Sequence, residues 1–343
     1  MAAPILLCDT AGMTRKRWLE CRMHGPDGKI PFTIGGSDVA AVYGVSPWTT
    51  PLELWRIKKG LMTPDDSINA TAKEMGHLME PVVAACYTMK KGNPHITDTG
   101  LYQHADYPYA LANLDYRMEE AGFSGILECK TTTWHNAEEW ADGHIPYFYE
   151  LQVRFYLAVM DLGFADIVCM WGFNPETEMA VRRIERNLGI EADMFERLDR
   201  FIDSLVKNIP PTMADVKPAV AMASLARIYG NSQSGLPTIE FGPKLEKHLR
   251  QIAALQQANE DLKSTIKKNE GDITAHSVRI AETMKTHEHG ILTTPAGKLV
   301  VSYVSKPTTR PSSQLLKDNY PAVYEDVLKT TYSRKLLVTA QSI

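Results

Sequence analysis

The chain has 343 residues, 44% hydrophobic and 23% charged, a composition that excludes a disordered, collagen-like or coiled-coil-only protein. Its net charge of −4 argues mildly against a protein that coats nucleic acid over its whole surface, though local patches stay open. No apolar run reaches the roughly 18–20 residues of a membrane helix and residues 1–7 lack the basic flank of a secretory signal, so a soluble, cytoplasmic protein without a membrane partner is expected.

Five cysteines, Cys8, Cys21, Cys86, Cys129 and Cys169, are odd in number and show no CxxC spacing, which predicts buried thiols rather than disulfides or structural zinc. The charge is uneven. Segment 14–24 carries four Lys/Arg against Glu20, a net of +3, and residues 298–343 carry seven Lys/Arg against three Asp/Glu, a net of +4.

In chain order, capping signals at Ser37/Asp38 and Thr50-Pro51 start short helices over 36–44 and 51–59. Asn69 to Met89 reads as helix on both sides of Pro81, with a break or restart at the proline. The period then changes to two: Tyr109–Met118 and Phe123–Thr131 read as strands joined by a turn at Glu119-Glu120-Ala121-Gly122. Helix returns over 136–142 and 146–160, strands follow over Ile167–Phe173 and Met179–Ile184, and an amphipathic helix over 189–207. This alternation is an α/β (α+β) pattern.

A Pro-Pro pair and the GNSQSG run mark 208–240 as a linker. The division expected is therefore a core over 1–207, that linker, a long helical segment over 241–289 and a β-rich tail over 290–343. Within Lys244–Lys285, Leu245, Ile252, Ile266, Ile273 and Ile280 recur at sevens or fourteens, with Leu249, Leu255 and Leu262 beside them. Asn259, Lys263 and Gly271 interrupt that seam, which predicts a helical hairpin or a partner-docking helix rather than an uninterrupted coiled coil. Ile291–Thr294 and Lys298–Val304 around Pro295-Ala296-Gly297 predict a β-hairpin.

The chemistry concentrates in Leu111-Ala112-Asn113-Leu114-Asp115 and Glu128-Cys129-Lys130. Alternation along a strand puts Glu128 and Lys130 on one, solvent-accessible, face and turns Leu127 and Cys129 to the core. A turn centred on Glu120-Ala121 pairs Asp115 with Ile126, on the same face as Glu128 and one diagonal step away. Two carboxylates so placed suit a hard divalent cation, with a lysine at hand to orient or deprotonate a water or to stabilise phosphate charge. Read alone, the same residues also fit a surface salt-bridge ladder. Glu80, just before Pro81, is a third carboxylate. Gln152 lies on one helical face with Tyr149 and Tyr156, where its amide could hydrogen-bond a water or a base. Trp134, Trp140, Tyr147 and Tyr149 read as core more than as a DNA groove.

The run Ile34-Gly35-Gly36-Ser37-Asp38-Val39-Ala40-Ala41-Val42-Tyr43-Gly44-Val45-Ser46-Pro47-Trp48, followed by Thr50-Pro51-Leu52-Glu53-Leu54-Trp55, closely resembles the opening motif of the YqaJ-like viral recombinases, relatives of phage lambda exonuclease within the PD-(D/E)XK nuclease superfamily. Gly76–Glu80 with Pro81, then Asp115, Glu128-Cys129-Lys130 and Gln152 are similar to that family's successive motifs and stand in its order, covering roughly residues 14–205. The tail segment Tyr332–Val338 is also similar to phage members.

The resemblance implies a PD-(D/E)XK core, a central mixed β-sheet flanked by helices, with the long helix and hairpin as a C-terminal appendix. It implies a phosphodiesterase in which Asp115, Glu128, the Cys129 backbone carbonyl and Glu80 ligate one or two Mg²⁺ ions, with Mn²⁺ as a substitute, while Lys130 acts on the nucleophilic water and Gln152 assists. Arg22, four residues after Trp18, and Ser37 with the helix start behind it would hold a DNA 5′-phosphate. The activity implied is resection of linear double-stranded DNA from its ends, 5′ to 3′, releasing mononucleotides and leaving a 3′ single strand for single-strand-annealing recombination. Implied partners are DNA ends, an annealing protein and further copies in a ring-like trimer, in a bacterial host cytoplasm. An endonuclease of the same superfamily and a catalytically silent end-binding scaffold are the alternatives.

Overall fold

The computed structural model describes residues 3–64, 70–92 and 95–328, which fall into two units, Met1–Gly230 and Asn231–Ile343. In the first unit the elements are β1 (Ile5–Asp9), α1 (Arg15–His24), β2 (Ile34–Gly35), α2 (Gly36–Val42), α3 (Pro51–Lys58), α4 (Ala70–Lys91), β3 (His95–Thr97), β4 (Gly100–Gln103), β5 (Ala110–Ala112), β6 (Tyr116–Glu120) and β7 (Phe123–Thr131). After a kinked 3₁₀ segment at Trp134–Gly143 come α5 (Tyr147–Met160), β8 (Phe164–Met170), β9 (Met179–Glu185), α6 (Leu188–Val206) and α7 (Pro218–Tyr229).

Two sheets form. One has the order β1-β4-β5-β2; the other, β3-β6-β7-β8-β9, is mixed, with β7 and β8 parallel and its other pairs antiparallel. Parallel neighbours need a crossover, and the 3₁₀ segment with α5 supplies it. The face of β7 that carries Ile126 meets α5, which is buried on nearly every side, as its apolar run Val153, Phe155, Leu157, Ala158, Val159 and Met160 requires. The opposite face, with Leu127 and Cys129, is covered by Val83, Ala84 and Tyr87 of α4. This is the mixed α/β layering expected, a central sheet flanked by helices.

Several expectations are corrected. Pro81 lies inside an unbroken α4. It deletes one backbone bond, to the carbonyl of His77, but packing of Val83, Ala84 and Tyr87 on the sheet carries the helix through. The expected start, Asn69, lies outside the described residues. The expected strand Tyr109–Met118 is two strands, β5 and β6, assigned to different sheets with Asn113-Leu114-Asp115 between them. The hairpin turn is the two-residue Ala121-Gly122, both at positive φ (51° and 84°), so Glu120 pairs with Phe123 and Tyr116 with Leu127. That register differs from the expected one by an even step, which leaves every side chain on its predicted face.

Within the stretch read as a linker, α7 is tied to α3 and its cap. Arg227 forks onto Glu53, with Nε to Oε1 and Nη2 to Oε2 both 2.7 Å, and the buried Ser224 hydroxyl meets Thr50 Oγ1 at 2.7 Å. Beneath α4, Tyr87 donates its hydroxyl to Asp166 Oδ2 at 2.6 Å. The buried Asp166 also accepts from Arg183, Nε to Oδ1 at 2.7 Å and Nη2 to Oδ2 at 2.9 Å.

The second unit holds α8 (Glu246–Met284), a hairpin of β10 (His289–Thr294) and β11 (Gly297–Ser302), α9 (Ser313–Asn319) and α10 (Pro321–Val327). The hairpin falls where expected. α8 is one continuous 39-residue helix rather than a helical hairpin, since neither Asn259 nor Gly271 is a strong enough breaker to end it. Two short helices follow β11 where a β-rich tail was expected; Tyr332–Val338 lies outside the described residues.

Candidate active site

Strand β7 outruns its neighbour. β6 begins at Tyr116, opposite Leu127, so from Glu128 onward one backbone edge of β7 has no strand beside it among the described residues. Asp115, the residue just before β6, fills the first opening: its Oδ2 accepts the Cys129 N–H at 3.0 Å. In an extended strand a residue's N–H and C=O project to the same side. The Cys129 carbonyl therefore projects over this edge as well.

Glu128 and Lys130 share a face, as alternation predicts, but not a solvent-accessible one. α5 covers it, and Glu128 is only 1% exposed. Lys130 Nζ donates to Glu128 Oε1 at 2.5 Å and lies over the Tyr149 ring. Gln152 Nε2 donates to the same oxygen at 2.8 Å and to the Tyr156 hydroxyl at 3.1 Å. Both donors converge on Oε1. The second oxygen, Oε2, is buried with no hydrogen-bond partner among the described residues. The surface salt-bridge ladder is thereby excluded: this pair is buried, and its carboxylate is half satisfied.

The electrostatics point the same way. Burial, and next the Asp115 charge, push the Glu128 carboxyl up to about 8. Burial and Asp115 also raise Glu80, partly offset by His77, whose Nδ1 lies 2.9 Å from Glu80 Oε1. Burial alone would lower the Lys130 ammonium, but the Glu128 and Asp115 charges outweigh it and hold the proton on. Three carboxylates facing one ammonium in a buried setting all favour added positive charge.

That is the donor chemistry of a hard divalent cation: carboxylate oxygens and a backbone carbonyl, with one oxygen left orphaned. Among the described residues no three His, Cys, Asp or Glu side chains are yet closed around a common point. Glu80 is turned to His77 and Asp115 to the strand edge.

Arg22 and Ser37 do come together, Nη2 to Oγ at 3.3 Å, with the guanidinium stacked 4.6 Å from the centroid of Trp18. The two glycines of the opening motif are explained by what they touch. A Cβ on Gly35 would sit 2.6 Å from Arg22 Nη2, and one on Gly36 2.5 Å from the Tyr156 ring. Arg22 is thus linked to the Glu128 cluster through Gly36, Tyr156 and Gln152. A second link runs through Trp18, whose Nε1 donates to Asn113 Oδ1 at 3.0 Å, two residues before Asp115.

Sequence reasoning gave Asn113 no role of its own, read Asp38 only as a capping signal and missed the Gly36–Tyr156 contact. Asp38 accepts from Gly35 N at 3.0 Å and from Lys58 Nζ at 2.8 Å. Burial opposes its charge, but Lys58 and Arg22 outweigh burial and keep it ionised. The paired glycines were the one available signal of a close approach, though not of what approaches. Of the four aromatics after β7, Trp140 is buried and Trp134 is 71% exposed.

Residues 17–163, which carry all of these side chains, match the family model of the YqaJ-like viral recombinase domain. Along nearly its whole length the chain is similar to the uncharacterized protein YqaJ of Bacillus subtilis (strain 168), 28% identical over 332 residues that cover 96% of each chain. Among solved structures it is similar to the alkaline exonuclease LHK-Exo from Laribacter hongkongensis, with TM-score 0.43 and 20% identity over 57% of this chain and 94% of that one. The same enzyme in complex with dAMP gives TM-score 0.46 and 19% identity, again over 57% and 94%. A phage-related exonuclease from Haemophilus somnus 129PT gives 0.36 and 12% identity over 52% of this chain and 96% of that one.

Proposed function

We propose that this protein is a Mg²⁺-dependent exodeoxyribonuclease that resects linear double-stranded DNA, 5′ to 3′, for phage-type single-strand-annealing recombination. The observation that carries the reading is Glu128 Oε2, a buried, partnerless carboxylate oxygen beside Asp115 at an open strand edge inside a YqaJ-like domain. Asp115, Glu128 and the Cys129 carbonyl would hold the ion, with Glu80 joining after it releases His77. Bound Mg²⁺, or Mn²⁺ in its place, would supply Lewis-acid stabilisation of the charge that builds on a phosphodiester under attack by water.

The chain's own groups have separable tasks. Gln152 and Lys130 occupy Glu128 Oε1, which leaves Oε2 available to an ion. Lys130, whose ammonium the Glu128 and Asp115 charges favour, would act as a hydrogen-bond donor that orients water and offsets phosphate charge. Arg22, stacked on Trp18, and Ser37 would take the 5′-phosphate of the end. Their two bridges, to Gln152 and to the Asp115 segment, would fix the distance between the end and the bond cut next.

The test is hydrolysis of linear and covalently closed DNA with Mg²⁺ and with chelator. Linear DNA consumed to mononucleotides only with Mg²⁺, with circles intact, is expected. Nicked circles would make the protein an endonuclease, and binding without hydrolysis a scaffold.

A further inference from the structure

The second unit carries an apolar stripe that none of its own described residues covers. α8 spans about 58 Å at 1.5 Å per residue, and Met284 is its one buried residue. Leu255, Leu262, Ile266, Ile273 and Ile280 are all exposed, Leu255 at 66%. They follow a seven-residue repeat. Leu245, Ile252, Asn259, Ile266, Ile273 and Ile280 form one row at strict intervals of seven, and Leu255 and Leu262 stand three residues after Ile252 and Asn259.

We propose that α8 joins two copies of this chain as a parallel, two-stranded coiled coil, with the two Asn259 side chains paired across the seam. Four features select this occupant over a foreign helix. Between residues 252 and 266, β-branched Ile in the first row with Leu255 and Leu262 in the second is the pattern that favours two parallel strands, while the other second-row positions, His248, Asn269, His276 and Thr283, are polar. A lone Asn in the first row is the device that fixes register, because it is satisfied only by its own counterpart. The flanking rows are self-compatible: across a parallel pair Gln251 faces Gln256, Ala258 faces Lys263, Thr265 faces Glu270 and Asp272 faces Ser277, with no like charges opposed.

Area is the third feature. Six exposed seam residues, Leu245 among them, each losing about 80–100 Å² to the partner, would bury roughly 950–1,200 Å² over both chains, near the lower end of a specific interface. The fourth is the β10–β11 hairpin, which follows α8 after four residues and exposes Ile291, Leu292, Leu299 and Val300. A lone two-stranded hairpin is marginal. Parallel helices bring the two hairpins to the same end, where they can cover each other. Antiparallel helices would separate them by the helix length and set Asn259 against the leucine row.

The inference stands apart from the nuclease reading. Its test is full-length Ile266→Cys under mild oxidation, beside Gln257→Cys on the outer face and the unmodified chain, whose five cysteines all lie before residue 231. Disulfide-linked dimer with Ile266→Cys and not with the two controls is expected. Absence of that dimer, or equal yield from Gln257→Cys, overturns the parallel seam. Sedimentation at micromolar concentration adds a second readout: Leu262→Glu, at a site already exposed, should lower the assembled mass about twofold. An unchanged mass, or an unmodified chain that already sediments like the variant, means α8 meets some other partner and the proposal fails.

Discussion

α5 and α8 are both regular helices, made stable in opposite ways. In α5, 14 residues long, eight side chains are buried, and the helix exists because α2, β5, β8 and α6 enclose it. In α8, 39 residues long, one side chain is buried, and the helix is held by local pairs such as Arg250–Glu246 and Lys263–Glu260 and by good helix formers. Burial gives α5 a single position, and with it a single position for Gln152. α8 keeps its apolar stripe for another molecule. Chemistry that depends on sub-ångström placement belongs on the first kind of helix, and association on the second.

The largest effect should fall on the enclosed side of that contrast. Lys130→Ala should lower turnover about 10²–10³-fold or more while end binding persists in a gel-shift assay, whereas Glu260→Ala on α8 should leave turnover unchanged. Full turnover by Lys130→Ala would remove the chemistry from β7.

Next comes pH. Glu128 has a folded-state pKa raised to about 8, so its contribution to stability is complete below its unfolded value near 4.5 and is lost as pH rises through about 8. Urea unfolding in chelator should show the native chain weakening between pH 5 and 8.5 by a few kcal/mol, because each tenfold difference in proton affinity between the folded and unfolded chain is worth roughly 1.4 kcal/mol. Glu128→Gln should flatten that profile. Added Mg²⁺ should restore the native chain at pH 8.5 more than at pH 5.

Gly36→Ala should cost about 1–3 kcal/mol in the denaturant midpoint, because its Cβ would meet the Tyr156 ring at 2.5 Å in a packed interior. Arg22→Ala should raise KM about tenfold for 5′-phosphorylated ends and leave 5′-hydroxyl ends near their starting value; equal loss on both would dissolve the phosphate pocket. The smallest effect has the opposite sign. Gly271 lies within α8 with open space where a Cβ would go, so Gly271→Ala should stabilise that helix by about 0.5–1 kcal/mol, read as a raised thermal midpoint by circular dichroism. Two helical glycines with opposite responses would mark the boundary between packed and unpacked parts of the chain.

The sequence carried the elements well and their assembly less well. Alternation along Phe123–Thr131 placed Glu128 and Lys130 on one face, and that survives in the structure because an even register shift cannot change it. The register itself depended on which two residues occupy the turn. Ala121 at positive φ is a choice the hairpin's twist enforces and composition does not announce. Burial of the Glu128–Lys130 pair was also illegible, since it comes from α5 folding back over the strand. Pro81 and the 208–240 stretch misled for a common reason: local breakers were read without the tertiary contacts of Tyr87, Ser224 and Arg227 that override them. The opening motif was legible as a pattern, but Tyr156 and Arg22, the neighbours that need its glycines, lie 120 residues after Gly36 and 13 before Gly35.

The Tyr87–Asp166 hydrogen bond lies on the side of the sheet away from Lys130 and Gln152, yet it bears on Glu80. Both Tyr87 and Glu80 ride on α4, two turns apart, about 10 Å at 1.5 Å per residue. The helix acts as a beam pinned at Tyr87, and any roll at the pin swings the Glu80 carboxylate at the other end. Asp166 is pinned in turn by Arg183, so a chain of fastenings running from β9 through β8 to α4 sets the aim of a group it never meets. Changes in that chain would redirect the Glu80 carboxylate without touching any side chain near Glu128.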